Sequence, residues 1–231
     1  MRSPSVRLQP SPVATLVLPA VASLAALLSC TMDPVNAAQE SAFAAAEDLG
    51  PKENSEFHRP GQDCLACHGP RGNAKPKFSI AGTVFWGTCI DPDAPPDTCI
   101  RKTVDNAEVR IVDGENFSRC IRTNCAGNFF IEEGKWASGA PNKKPLFPLL
   151  SSVRKVTQEG AAVEQVMSGH IGRSGSCNDC HRTSPFWNSA GQIYLYGKPD
   201  QVPASATSEY ESCMQNPVAP TEGECLQQVP R

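Results

Sequence analysis

Hydrophobic and polar positions change rhythm along this chain, and each change marks a segment. Residues 13–28 form an almost uninterrupted apolar run behind the positive Arg2 and Arg7. That order of parts predicts a secretory signal over residues 1–29, its apolar run too short to span a bilayer comfortably. Residues 30–56 are rich in Ala, Glu, Asp, Ser and Asn, with a brief Ala-rich run at 41–46, and read as a flexible tether. From Phe78 the period becomes two. Residues 80–86, 107–113, 117–123 and 128–132 alternate like half-buried strands, with turn signals at Asp113-Gly114 and at 124–127. Further strands are predicted at 144–148 and 151–157, and a last one at 192–196. Short, evenly spaced strands predict a mainly β chain, with a small antiparallel sandwich over residues 78–168. That length, roughly 90 residues, encloses one modest core.

Composition agrees with a loop-rich or β-rich body. Of 231 residues, 21 are proline and 17 glycine, while aromatics make up only 6%. The formal charge is −3, and removing Arg2 and Arg7 with the leader takes away two positive charges, leaving −5. No basic face for nucleic acid is expected.

The chemistry lies in the histidines and cysteines. Every one of the four histidines belongs to one of two units. Cys64-Leu65-Ala66-Cys67-His68 has His58 just upstream, and Cys177-Asn178-Asp179-Cys180-His181 has His170 just upstream. The spacing C-x-x-C-H predicts covalent attachment of haem c, with two thiols bonding the porphyrin edge and the next imidazole taking one axial position on iron. The expected cofactors are two haem c groups. His68 and His181 are the proximal ligands, and His58 and His170 the candidates for the opposite positions, with Met167 and Met214 as alternatives. A four-thiolate zinc site from Cys64, Cys67, Cys177 and Cys180 leaves the histidine after each pair unexplained. A thioredoxin-like dithiol would need a βαβ setting that the pattern lacks. Trp86, Trp187, Phe57, Phe186 and Tyr194 lie near these segments and would pack on the macrocycles or simply join the core. The attachment segments span residues 57–77 and 169–196, and a Pro-, Gln- and Glu-rich tail covers 197–231.

The end of the leader, Leu27-Leu28-Ser29-Cys30, resembles a bacterial lipobox. The resemblance implies lipidation of Cys30, and Thr31 in place of the usual retention aspartate favours an outer-membrane lipoprotein facing the periplasm or cell surface. Several acyl chains on one residue anchor stably where one does not. With Cys30 used for lipid and four cysteines for haem, Cys89, Cys99, Cys120, Cys125, Cys213 and Cys225 remain. An oxidising compartment permits disulfides. Local closure predicts Cys89–Cys99, Cys120–Cys125 and Cys213–Cys225, each stabilising by about 2–3 kcal/mol.

Two wider resemblances follow from residues already quoted. Ala81-Gly82-Thr83-Val84, then Asn106-Ala107-Glu108-Val109, then Thr123 to Gly127 and Phe129 resemble the carboxypeptidase regulatory-like domain, an immunoglobulin- or transthyretin-like sandwich. The chain departs from it by an insertion carrying Cys89 and Cys99 and by Asn106 where glycine is usual. The family implies a fold and a non-catalytic role. Over residues 57–183 the chain resembles exported dihaem and multihaem c-type cytochromes. The expectation is a lipid-anchored electron carrier, not an enzyme, working with redox partner proteins such as other cytochromes or a membrane electron-transfer complex. A dihaem peroxidase or small-molecule reductase, and a haem-based sensing or binding module, are the alternatives.

Overall fold

Strand β1 (Phe78–Gly87) holds the molecule together, and nearly all of it is buried. The computed structural model describes residues 50–87, 102–141, 143–182 and 189–220, with positions 38, 41, 42, 45 and 48 before them. The leader with Cys30, the Cys89–Cys99 closure, Cys225, Phe186 and Trp187 lie outside the described residues.

Six further strands follow: β2 (Glu108–Val112), β3 (Ser118–Arg122), β4 (Asn128–Glu132), β5 (Leu150–Val156), β6 (Ala162–Val166) and β7 (Ile193–Tyr196). Three short α-helices, α1 (Cys64–His68), α2 (Cys177–Cys180) and α3 (Ser205–Gln215), and a 3-10 turn at Pro199–Gln201 accompany them. One sheet has the order β4-β1-β7 and the other β3-β2-β5-β6. The inward side chains of both sheets pack in one cluster, in which Val84, Trp86, Val109 and Leu195 are fully buried. Burying a side chain of this size stabilises by about 1.5–3 kcal/mol.

Strands β1 to β5 lie where the alternation places them, and the chain is mainly β. Four details differ. The first sheet is mixed, because β7 runs parallel to β1, Val84 opposite Ile193 and Gly87 opposite Tyr196. Residues 144–148 are not a strand; Leu146 N donates to the Asp113 carboxylate and the segment crosses the end of the β2–β3 hairpin. The short, exposed β6 extends the second sheet instead, beside β5. In the β2–β3 loop the left-handed residue is Asn116 (φ 68°), and buried Asp113 accepts the Glu115 and Phe117 N–H groups. The loop is therefore a five-residue turn built on an Asp side chain, not a two-residue Asp-Gly turn.

The turn motifs have clear physical roles. Thr123 is fully buried, donating to Val104 O at 2.6 Å and accepting from Ala107 N at 2.8 Å. Gly127 adopts φ +73°, and a Cβ there would stand 2.5 Å from Val84 O. Asn106 takes φ 53°, a conformation asparagine tolerates better than most residues, and its side chain accepts from Arg122.

The disulfides differ from the local closures. Cys125 bonds Cys213, across 88 residues, so neither Cys120–Cys125 nor Cys213–Cys225 forms. Cys120 is engaged in another disulfide. The cause is the docking of α3. Ala206 enters the main core, and Cys213 meets Cys125, Ala126 and Phe57 in a second buried cluster.

Candidate functional site

Both C-x-x-C-H units fold as single helical turns that pack on β1. Asp63 starts α1 by accepting from Leu65 N at 3.0 Å, and Gly69 N closes it on Leu65 O at 2.8 Å. This is an aspartate N-cap followed by a glycine stop. In α2, His181 N donates to Cys177 O at 2.9 Å, and Arg182 bridges to Asp179 at 2.9 Å.

One edge of β1 belongs to β4. The other is occupied in turn by the run into α2, by an α2 side chain, and by β7. Ala81 N donates to Gly175 O at 3.0 Å, and Thr83 N to Asn178 Oδ1 at 3.1 Å. Beyond these, Val84 begins the pairing with β7. Gly82 makes the close approach possible. A Cβ there would stand 2.6 Å from the Phe129 ring and 2.8 Å from Cys177 Cβ.

The two helices meet at their N-terminal ends. Asn178 donates to Gln62 O at 2.8 Å and to Thr83 Oγ1 at 3.1 Å, and Ser176 Oγ donates to the Asp63 carboxylate. Thr83 Oγ1 donates to Asn128 Oδ1 and accepts from Gly61 N, each at 2.8 Å. Asn128 in turn holds His58 O at 2.9 Å. Asn178 and Thr83 are completely buried, so these bonds replace water that cannot reach them.

Burial pushes the Asp63 carboxyl above its usual range, against hydrogen bonds from Ser176 and the backbone that pull it down. The folded chain thus binds this proton more tightly than the unfolded chain. Stability falls as pH rises from the unfolded value, about 3.9, through the folded one. Asp63→Asn keeps an acceptor for Leu65 N and Ser176, and denaturant titrations should show that this loss with rising pH is gone. Asp63→Ala loses the cap and should cost about 1–2 kcal/mol at low pH, and less above the folded value, where the wild type has itself lost stability.

The imidazoles are oriented by backbone carbonyls. His68 Nδ1 donates to Pro76 O at 2.7 Å, His181 Nδ1 to Gly191 O at 2.8 Å, and His58 Nδ1 to Ser55 O. In each ring this leaves Nε2 with its lone pair available, the arrangement a metal-bound histidine takes. His68 is buried, and desolvation lowers its pKa against the hydrogen bond to Pro76 O, with His58 and Lys77 adding to the lowering. The direction favours the neutral, ligating form. Its ring stacks on Phe78 at 4.5 Å, and Phe78 stacks on Phe130 at 4.6 Å.

His58 lies with its ring centre 5.8 Å from that of His68. That separation brings the two imidazoles close enough that both could hold one bound group. His170 is exposed beside the Ile171–Leu149 bridge, and among the described residues no ring contact joins it to His181.

Cys64, Cys67, Cys177 and Cys180 are thiols outside any disulfide, whereas Cys120, Cys125 and Cys213 are disulfide-bonded. Desolvation pushes Cys64 and Cys177 up to about 12, and Cys177 itself acts on Cys64. Cys180 is exposed and His181 half-buried, so the second unit faces solvent more than the first. Among the described residues no three of His, Cys, Asp and Glu converge as ligands of a single ion. The four motif thiols are therefore not gathered around one point in this structure. The residues fit a thioether-bound porphyrin: two thiols outside any disulfide in a turn of helix, and an adjacent imidazole with Nε2 available.

Of the nearby aromatics, Trp86 belongs to the core and stacks on Tyr196, and Phe57 lies in the small cluster around Cys125. Met167 is half-buried after β6 and Met214 exposed on α3. Sequence reasoning missed Phe78 and Phe130 against His68, and the Thr83, Asn128, Asn178 and Ser176 network. No helix among the described residues is long and apolar enough to cross a membrane. Scans of family models, of curated proteins and of solved structures return no match to this chain.

Proposed function

We propose that this protein is an exported, lipid-anchored dihaem cytochrome c that carries electrons at the outer membrane. Its lipid is carried on Cys30, and its partners are redox proteins on the periplasmic or outer face. One observation carries the reading. The four cysteines of the C-x-x-C-H units stay out of disulfides while the other described cysteines are in them, and each following histidine gives Nδ1 to a carbonyl. When bound, haem supplies a one-electron ferrous–ferric couple. Cys64 and Cys67 would hold one group and Cys177 and Cys180 the other, with His68 and His181 as the imidazoles supplied by the motifs. His58, next to His68, would be the further ligand of the first group. The body is read as an immunoglobulin- or transthyretin-like sandwich related to the carboxypeptidase regulatory-like domain. The two facing sheets and the roles of Thr123, Gly127 and Phe129 support that reading.

Dithionite reduction should give reversible sharp α and Soret bands in the purified holoprotein. A featureless visible spectrum would overturn the proposal. His58→Ala should turn one of the two haems high-spin, and His58→Met should keep it low-spin at a raised potential. Unchanged spectra and potentials in both variants would remove His58 from the ligand set.

A second reading is favoured by one observation, the exposed placement of His170 away from any ring contact with His181. Under it, the second haem admits a small ligand and the protein senses or reduces one. Carbon monoxide binding to the ferrous wild type at one haem supports this reading, and binding at neither excludes it.

A further inference from the structure

Asn178 occupies one of the two unspecified positions of the second C-x-x-C-H unit, where the attachment chemistry makes no demand. It is nonetheless only 1% exposed, and its amide is fully engaged. Its oxygen takes Thr83 N as a neighbouring strand would, and its nitrogen reaches Gln62 O, next to the aspartate that caps the first unit. One residue before α2, Ser176 donates to that same Asp63. Two part-buried contacts thus run directly from the second unit to the start of the first, beside the fully buried bonds of Asn178 to Thr83 on β1.

We propose that Asn178, assisted by Ser176, is the positioning residue that joins the two attachment helices into one unit and fixes the haems in mutual contact range. Haems held by these residues would be kept in one fixed relation, close enough for a magnetic interaction between them. This rests on the dihaem reading. The physical argument is one of degrees of freedom. A single-turn helix has too few internal bonds to define its own direction, so external bonds must set it. Each helix here is aimed by the other and by Thr83. Removing a buried partner leaves an unsatisfied polar group, which drives local rearrangement instead of a silent loss.

The test uses holoprotein carrying both haems, verified by mass. Asn178→Asp keeps the acceptor for Thr83 N and places an acceptor where Gln62 O and Thr83 Oγ1 need a donor. In the fully ferric wild type, EPR should show signals broadened by inter-haem interaction. In Asn178→Asp the broadening should be lost, leaving two independent low-spin signals with both porphyrin masses retained. Ser176→Ala should weaken the interaction and Ser176→Thr, which keeps the hydroxyl, should restore it. This serine pair decides the matter if Asn178→Asp does not fold. Two porphyrin masses with no interaction in the wild type, or with one unchanged in Asn178→Asp, overturn the positioning role and leave the dihaem reading intact. Identical behaviour of Ser176→Ala and Ser176→Thr also overturns it. Absence of porphyrin mass overturns the dihaem reading itself.

Discussion

Replacing Cys125 and Cys213 together by serine should lower the unfolding temperature by about 10–15 °C. The bond spans 88 residues, and a crosslink of that reach removes far more unfolded-state entropy than a local one. The chain-entropy relation assigns it about 4–5 kcal/mol. For a chain of this size each kcal/mol moves the transition by about 2–4 °C. The serines also inherit a buried site, with Cys125 and Cys213 both almost inaccessible beside Phe57 and Ala126. Thermal melts by circular dichroism, with the parent under reducing conditions as a second arm, measure the effect. Because the cluster lies beneath the segment that presents His58, the variant should also lose the first haem more readily on heating. A shift of less than about 3 °C would mean that α3 stays docked without the bond.

Under the dihaem proposal, Gly82→Val should leave the second attachment site without haem and the first site loaded. The new side chain would enter space held by the Phe129 ring and Cys177 Cβ, at 2.6 and 2.8 Å from its Cβ alone. Overpacking of this kind costs about 1–3 kcal/mol or more. The least costly escape is outward movement of α2, a four-residue helix at the edge of β1. Phe129, directly opposite Gly82 in the β1–β4 pairing, is anchored in the core and cannot give as readily. The expected product has one porphyrin mass, located at Cys64 and Cys67, and a stability lowered by about 3 kcal/mol. Gly82→Ala should show the same direction with a smaller loss. Full loading of both sites in Gly82→Val would mean that α2 does not need this close seat.

Alternation was enough to reveal the strands whose two faces differ, as in 107–113 and 128–132. It failed at β6, where Ala162, Gln165 and Val166 are all exposed and no buried face writes a period into the sequence. It also cannot reveal direction, and β7 reads the same whether it pairs with β1 parallel or antiparallel. The preference for local disulfides failed because tertiary docking of α3 sets Cys213, and sequence distance carries no trace of that. At the site, the histidines and motif cysteines stood out by spacing. The Asn178 contacts did not, because a polar residue inside C-x-x-C-H is ordinarily a solvated one. Phe78 was read only as the start of a strand. Its stacking on His68 depends on the chain folding back from α1 to β1, which no local pattern announces.

Everything rests on macrocycles bonded through sulfur to two helical turns that share one strand. Intact-mass analysis of the mature protein from an exporting host, followed by peptide mapping, addresses that directly. The account predicts the added mass of two porphyrins, one mapped to the peptide with Cys64 and Cys67 and one to the peptide with Cys177 and Cys180. A mature chain with all four of these cysteines unmodified would contradict it.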